Sequence, residues 1–383
     1  MRFVDYLNDI ALYYGKKSGK NKVFLSFLRD VHKDSRKGYF FLLRDFIRLK
    51  KEKGISIEEY SNFKFESRGK KFRDSFLSGV EQRPCLNLLN PKKYYILARN
   101  KYLSHLILGA NNIRKAELYC YYHPEGRVKN DHIACDYDSV LAILKSKNIH
   151  SCVIKSTETS HGDGVIVVND IEYTDKDCIL HLFDGRKVCL KDRLKEYEPL
   201  IFESKIYQTK QFDSFNSSSV NTIRFMTTLY PTGDVKIIAI WMKFGRAGVC
   251  VDNAGAGGNV DAGVDIKTGR IFNVTLFDEW RETRSITHHP DSGTLLEGVF
   301  IENWKQITDE IIQFQKSIPY LKAIGWDIAI TPEGPLVVEF NDYWDRTGQL
   351  FLGYGWKKEI QDCYKQWKKL EDVGKVSYKM GRL

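Results

Sequence analysis

Two carboxylates and an amide recur at short spacing in the run from Gly325 to Asn341, GWDIAI-TPEGP-LVVEFN. Two β-rich runs flank the turn-forming cluster Thr331 to Pro335, which predicts an antiparallel hairpin. With that cluster as the loop, Ile330 faces Leu336 and Asp327 stands opposite Glu339. Strand side chains alternate, so Asp327, Ala329, Val337, Glu339 and Asn341 are expected on one face. Like charges placed directly opposite repel and need neutralising. A hard divalent cation such as Mg²⁺ does this, taking oxygen from one or two carboxylates, an amide and substrate phosphates. The competing reading is a hairpin whose acids simply face water. The in-face amide favours the metal site, with Asp327, Glu339 and Asn341 as its candidate ligands.

Other residues of chemical interest come earlier. Lys101 follows Asn100 at the expected start of a helix ending near Gly109, where unpaired N–H groups and a positive dipole end suit a phosphate. In SCVIKSTETSHGDGVIVVND (151–170), strand-like runs at 152–154 and 165–168 enclose Lys155 and a small, polar loop. Such a loop brings backbone N–H groups to phosphate oxygens, with Lys155 as a cation at its root. It lacks the G-x-x-x-x-G-K-[ST] pattern and reads as a nucleotide flap or a plain surface hairpin. LIFESKIYQ (200–208) is expected as an edge strand or linker whose end can read an adenine edge. Asn221 and Arg224 sit near the start of a strand in FNSSSVNTIRFMTTLY, and Arg supplies a rigid fork for phosphate or carboxylate. The Gly-rich run VDNAGAGGNV departs from G-x-G-x-x-G, which disfavours a Rossmann site.

Elements must hold these groups in place. Residues 1–80 carry 19 Lys/Arg against 10 Asp/Glu, +9 of the chain's net +10. Apolar residues at helical spacing predict helices there, with Gly54 as a stop and Phe24, Phe27, Leu28 and Val31 along one face. That basic segment suits an acidic partner such as a membrane surface or anionic glycan, or it is merely a solvated face. It contains no nucleic-acid motif. The composition changes between Pro84 and Pro91. NWKQITDEIIQFQKS (303–317) predicts an amphipathic helix backing a sheet. The last 25 residues are expected as a basic helical tail. No run of about 18 apolar residues occurs, so no membrane-spanning helix is expected. Asp5 and Asp9 argue against a signal peptide. Eight scattered cysteines without C-x-x-C spacing fit reduced thiols in the cytoplasm.

The ordered set of NK (100–101), VIKSTETSHGDGV (153–165), SVNTIRF (219–225), VDNAGAGGNV (251–260), THHPDSG (287–293) and IGWDIAI…LVVEFN (324–341) resembles the ATP-grasp superfamily, and within it the sugar-transfer-associated family. The resemblance spans about residues 95–350. It implies an α+β fold in which two subdomains clamp ATP, with boundaries drawn here at 1–90 (basic helical segment), 91–205 and 206–383. It implies that Lys101 and Lys155 hold phosphates and that loop 156–164, with Ser156, Gly162, Asp163 and Gly164, closes over them. Adenine falls to Glu203, Ser204, Lys205 and Ile206, and Mg²⁺ to the hairpin. Arg224, with Asn221 nearby, serves the transferring phosphoryl group. No residue matches the ribose role clearly; Gln208, Gln211 and Asp213 stay open. Asp252, Asn253, His289, Trp344 and Arg346 are the acceptor-wall candidates.

The implied chemistry is an ATP-dependent carboxylate–amine ligation through an acyl phosphate. Its expected setting is bacterial capsule or O-antigen synthesis, with a carboxylate-bearing sugar and an amine as substrates. The expected location is the cytoplasm, with contact at the inner membrane face left open. The alternatives are a small-molecule kinase of the same fold and a non-catalytic module binding nucleotide or anionic polymer.

Overall fold

A computed structural model describes residues 20–159, 164–174, 177–249, 259–279 and 282–373. Within them the chain is mixed α+β, built on two seven-stranded sheets. The first contains β1 (Leu118–Tyr122), β2 (Ile133–Ala134), β3 (Cys152–Ser156), β4 (Ile166–Tyr173), β5 (Cys178–Leu182), β6 (Lys187–Cys189) and β7 (Leu200–Glu203), in the order β2-β1-β7-β3-β4-β5-β6. The second contains β8 (Thr222–Leu229), β9 (Val235–Phe244), β10 (Asn259–Val264), β11 (Ile271–Glu279), β12 (Glu282–Ser285), β13 (Ala323–Thr331) and β14 (Gly334–Asn341), in the order β12-β11-β10-β9-β8-β13-β14. Among the strand pairs of the described residues, β1–β2 alone is parallel.

The segment expected as an edge strand or linker is instead interior. β7 pairs with both β1 and β3, and Leu200, Ile201, Phe202 and Glu203 are all buried. Continuous apolar character is the mark of a strand covered on both faces, and LIF had it.

The acid hairpin forms with a tighter turn than the five-residue loop expected. Thr331 pairs with Gly334, so only Pro332 and Glu333 turn, and Gly334 takes φ 118°. Ile330 therefore faces Pro335, one position short of Leu336. A bulge at Val338 inserts one extra residue and restores the offset, leaving Asp327 opposite Glu339 as expected. The bulge also corrects one face assignment. Val337 turns into the core beside Phe340 and does not share the acid face.

Helices occupy the basic segment from Lys20–Ser35 through Tyr39–Lys53 and Ile57–Asn62 to Gly79–Leu89. Gly54 ends the second of these in a left-handed C-cap (φ 66°), and Ser56 and Ser78 open the later two with capping boxes. Leu28 and Val31 are buried, as the helical spacing predicted. These helices share one core with a face of the second sheet. Leu42, Phe46, Phe65 and Phe76 cluster with Met226, Ala239, Trp241, Trp344 and Trp356. The opposite face is closed by helix Trp304–Ser317, through Ile307, Ile311 and Phe314. The first sheet has its own core around Ile154, Val168, Leu180 and Phe202. No described helix is long and apolar enough to cross a membrane.

Candidate active-site cleft

A cleft of about 780 Å³ opens between the two sheets. Its second-sheet wall is the hairpin. Asp327, 2% exposed, receives Arg224 on both oxygens, Nε at 2.5 Å and Nη2 at 2.6 Å, and Lys243 Nζ lies 3.1 Å away. Neighbouring strands set this up, because Arg224 on β8 pairs with Asp327 on β13 on one side and Trp241 on β9 on the other. Burial alone raises a carboxyl pKa, but the two cations hold Asp327 far below the carboxylate range. Glu339 is pushed the other way, by burial and by the facing Asp327 charge. Its side chain is exposed and lines the cleft. Asn341 Nδ2 donates to Glu339 Oε1 at 3.2 Å.

The first-sheet wall is a chain of paired polar side chains. Lys155 on β3 pairs with Glu203 on β7, and Glu203 Oε2 takes His105 Nε2 at 2.8 Å. Burial would raise the Glu203 pKa; Lys155 and His105 bring it down to about 2. His105 lies one helical turn after Lys101, on helix Lys101–Ala110, whose N-cap Asn100 accepts from Leu103 N at 3.0 Å. Lys101 donates from its backbone to Thr157 O and from Nζ to Thr159 O, which joins the helix start to the residues after β3. Burial lowers its pKa, partly offset by Glu339.

Of the sequence-derived residues, Lys101, Lys155, Glu203, Ile206, Arg224, Glu339, Asn341 and Arg346 line the cleft. Asp327 lies just beneath, behind Arg224 and Lys243. The remainder are elsewhere. Ser156 is buried, and Gly164 takes φ 75°. Ser204 Oγ accepts from Glu117 N at 3.0 Å, and Lys205 Nζ donates to Asn169 at 2.6 Å. Asn221 is fully buried. Its Nδ2 goes to Gln208 Oε1, Phe212 O and Asn216 O, while Gln208 Nε2 goes to Asn216 O and Ser219 O. Both therefore brace the loop before β8. Gln211 Nε2 donates to Phe300 O at 2.8 Å. His289 is buried against Gly245 O at 2.9 Å, and Trp344 belongs to the core. Gly162, Asp163, Asp252 and Asn253 lie outside the described residues.

Sequence reasoning missed His105, Lys243 and Asp345, all at the cleft. His105 was findable from its i+4 spacing to Lys101, and Lys243 as the lone cation ending the apolar run of β9. Arg346 was named, but its anchor was not: its Nε lies 3.0 Å from Glu59 Oε1, which also accepts Gly79 N at 2.7 Å. The helical segment thus sets the position of a cleft guanidinium.

The hairpin's donors suit a hard divalent cation. Glu339 and Asn341 offer oxygen toward such an ion, whereas both oxygens of Asp327, expected as a third ligand, are taken by Arg224 and Lys243. The set is two acids and an amide; no cluster of three or more His, Cys, Asp or Glu forms among the described residues.

A family model described as sugar-transfer associated ATP-grasp matches residues 83–365. No curated protein sequence matches the chain. Among solved structures, the chain is similar to phosphoribosylamine–glycine ligase from Thermotoga maritima (11% identity, TM-score 0.42, covering 77% of this chain and 61% of that one). It is also similar to D-alanine–D-alanine ligase from Bacillus anthracis complexed with ATP (11%, 0.38, 72% and 68%). A third is N5-carboxyaminoimidazole synthetase from Staphylococcus aureus complexed with ADP (8%, 0.39, 70% and 52%). The chain spans about half the length of the carboxyaminoimidazole synthetases it matches.

Proposed function

Because the chain belongs to the sugar-transfer associated ATP-grasp family, we propose that it is an ATP-dependent ligase joining a carboxylate to an amine. The observation that carries this reading is the cleft itself: Lys101, Lys155, Arg224, Lys243 and Arg346 surround the Asp327–Glu339–Asn341 corner. Cations fixed before the reaction starts are what phosphoryl transfer from a triphosphate uses.

ATP lies between the sheets, with its phosphates toward Lys101 and Lys155. Glu339 and Asn341 would hold Mg²⁺, with Asp327 adding its charge from behind Arg224, and the ion would offset charge on the phosphate oxygens. A substrate carboxylate oxygen attacks the γ-phosphorus; the bond to the β–γ bridging oxygen breaks, and ADP leaves with that electron pair. The amine nitrogen then attacks the acyl-phosphate carbonyl carbon, the C–O bond to phosphate breaks, and inorganic phosphate departs as the nitrogen loses its proton to solvent. Arg224, held bidentate by Asp327, steadies the transferring group without rearranging. The loop after Ser156 excludes the water that would hydrolyse the intermediate.

The acceptor is a carboxylate-bearing sugar, such as a uronic acid, in assembly of a bacterial capsule or O-antigen. The family's sugar-transfer association supports this, as does Arg346 in the cleft lining, a fork matched to a carboxylate. The reaction belongs on the cytoplasmic side, close to the membrane where such glycans are built.

The test is ADP release from ATP and Mg²⁺ with a panel of uronic acids, sugar nucleotides and amines. The expected result is release requiring both substrates, with ¹⁸O passing from labelled carboxylate into phosphate. Release independent of the amine, with phosphate retained on the sugar, makes the protein a kinase and overturns the ligase reading.

A further inference from the structure

The helix Tyr39–Lys53 buries Leu42, Asp45, Phe46 and Leu49 and turns an unusual surface outward. Tyr39 is 48% exposed, Phe40 80% and Phe41 52%, three aromatic residues in a row. Exposed cations adjoin them: Arg36 precedes the helix, Arg44, Arg48 and Lys51 follow along its outer stripe, and Lys37 Nζ stands 5.3 Å over the Phe41 ring. Glu52 is the one exposed acid between Arg36 and Lys53.

From this face we infer a docking surface for an anionic lipid bilayer. The two halves of the surface match the two layers of such a membrane. Phenylalanine and tyrosine rings enter the interfacial zone, while arginine and lysine reach the headgroup phosphates on flexible stems. A soluble polyanion would engage the cations and leave three rings in water. A bilayer takes both. The cations give the negative leaflet a long-range pull, and the rings make the contact persist at higher salt. The proposal deepens the membrane-side placement in the functional reading and is independent of the chemistry, because lipid partition needs no substrate.

The test is cosedimentation of the full chain, without nucleotide, with phosphatidylcholine vesicles carrying phosphatidylglycerol and with phosphatidylcholine alone. Two variants accompany it, the double substitution Phe40→Ser/Phe41→Ser and Arg44→Glu, all at exposed positions. The expected result is partition onto the anionic vesicles only, weakened by salt and reduced about tenfold or more in each variant, with unfolding temperatures unchanged. Three results would overturn the inference: no partition onto anionic vesicles, partition unaffected by the aromatic substitutions, or binding to a soluble polyuronate without any to vesicles. A fall in oligomeric mass on Phe40→Ser/Phe41→Ser would also overturn it, by assigning the rings to a second copy of the chain.

Discussion

Glu203 holds the Lys155 ammonium and pairs with the His105 ring, and its chemistry sets a pH signature. Its pKa in the folded chain is about 2, against 4.5 for the free side chain. The stability this group contributes is therefore present above about pH 4.5 and is lost as pH falls toward 2. Glu203→Gln should destabilise the chain by roughly 2–3 kcal/mol at neutral pH, and the gap in unfolding temperature should close below pH 4.5. A gap that persists unchanged at pH 3 would contradict the Lys155–Glu203 ion pair. Glu339 has the opposite sign. Its pKa is raised by burial and by Asp327, so its charge costs stability as pH rises above 4.5. Glu339→Gln should therefore raise the unfolding temperature in metal-free buffer, more at pH 8 than at pH 5, while abolishing ADP release. A lower unfolding temperature would mean that the acid pair is not repulsive. Asp327→Asn does the reverse, leaving Arg224 and Lys243 underpaired in a buried site, and should cost about 3–5 kcal/mol by denaturant unfolding.

At the scale of elements, the hairpin shows how a correct site can emerge from an imperfect turn. Gly334 carries φ 118°, and an added Cβ would lie 2.7 Å from Arg114 Nη2. Gly334→Ala should cost about 1–3 kcal/mol in thermal unfolding and leave nucleotide affinity within about twofold, because the acids lie beyond the Val338 bulge. The acid pairing was legible because period-2 alternation and two acids constrain the register from both ends. The turn was not: five turn-forming residues permit several loop lengths, and Pro335 enters the ladder only because β14 is an edge strand. Interior β7 was expected as an edge or linker because the strands that pair with it come from distant residues 118–122 and 152–156. Asn221 reads as catalytic beside Arg224 in the sequence; in the structure it is buried on β8's approach, with its Nδ2 engaged by Gln208 Oε1 and two backbone carbonyls. A loop-bracing amide and a substrate-binding one look alike in sequence.

For the whole molecule, the basic segment is more than an attachment. Gln82 Nε2 donates to Trp344 O, Asn90 Nδ2 to Ala323 O and Asp342 O, and Glu59 meets Arg346. Charge and helical spacing were readable in residues 1–80; their docking against β8, β9 and the Trp344–Trp356 region was not, since contacts between distant segments leave no local pattern. A chain shortened to begin at Pro91 should expose the Trp241–Trp356 face and fail to accumulate as soluble, cooperatively unfolding protein. A stable shortened chain would show that the shared core is dispensable. The central claim is that the cleft holds a metal-bound nucleotide at the hairpin acids. Calorimetric titration of ATP, with and without Mg²⁺, into the native chain and Glu339→Gln tests it most directly. The account predicts tight binding by the native chain that depends on Mg²⁺, and a Glu339→Gln variant in which the Mg²⁺ dependence is largely lost. ATP binding that ignores both Mg²⁺ and the substitution, or no ATP binding at all, would contradict it.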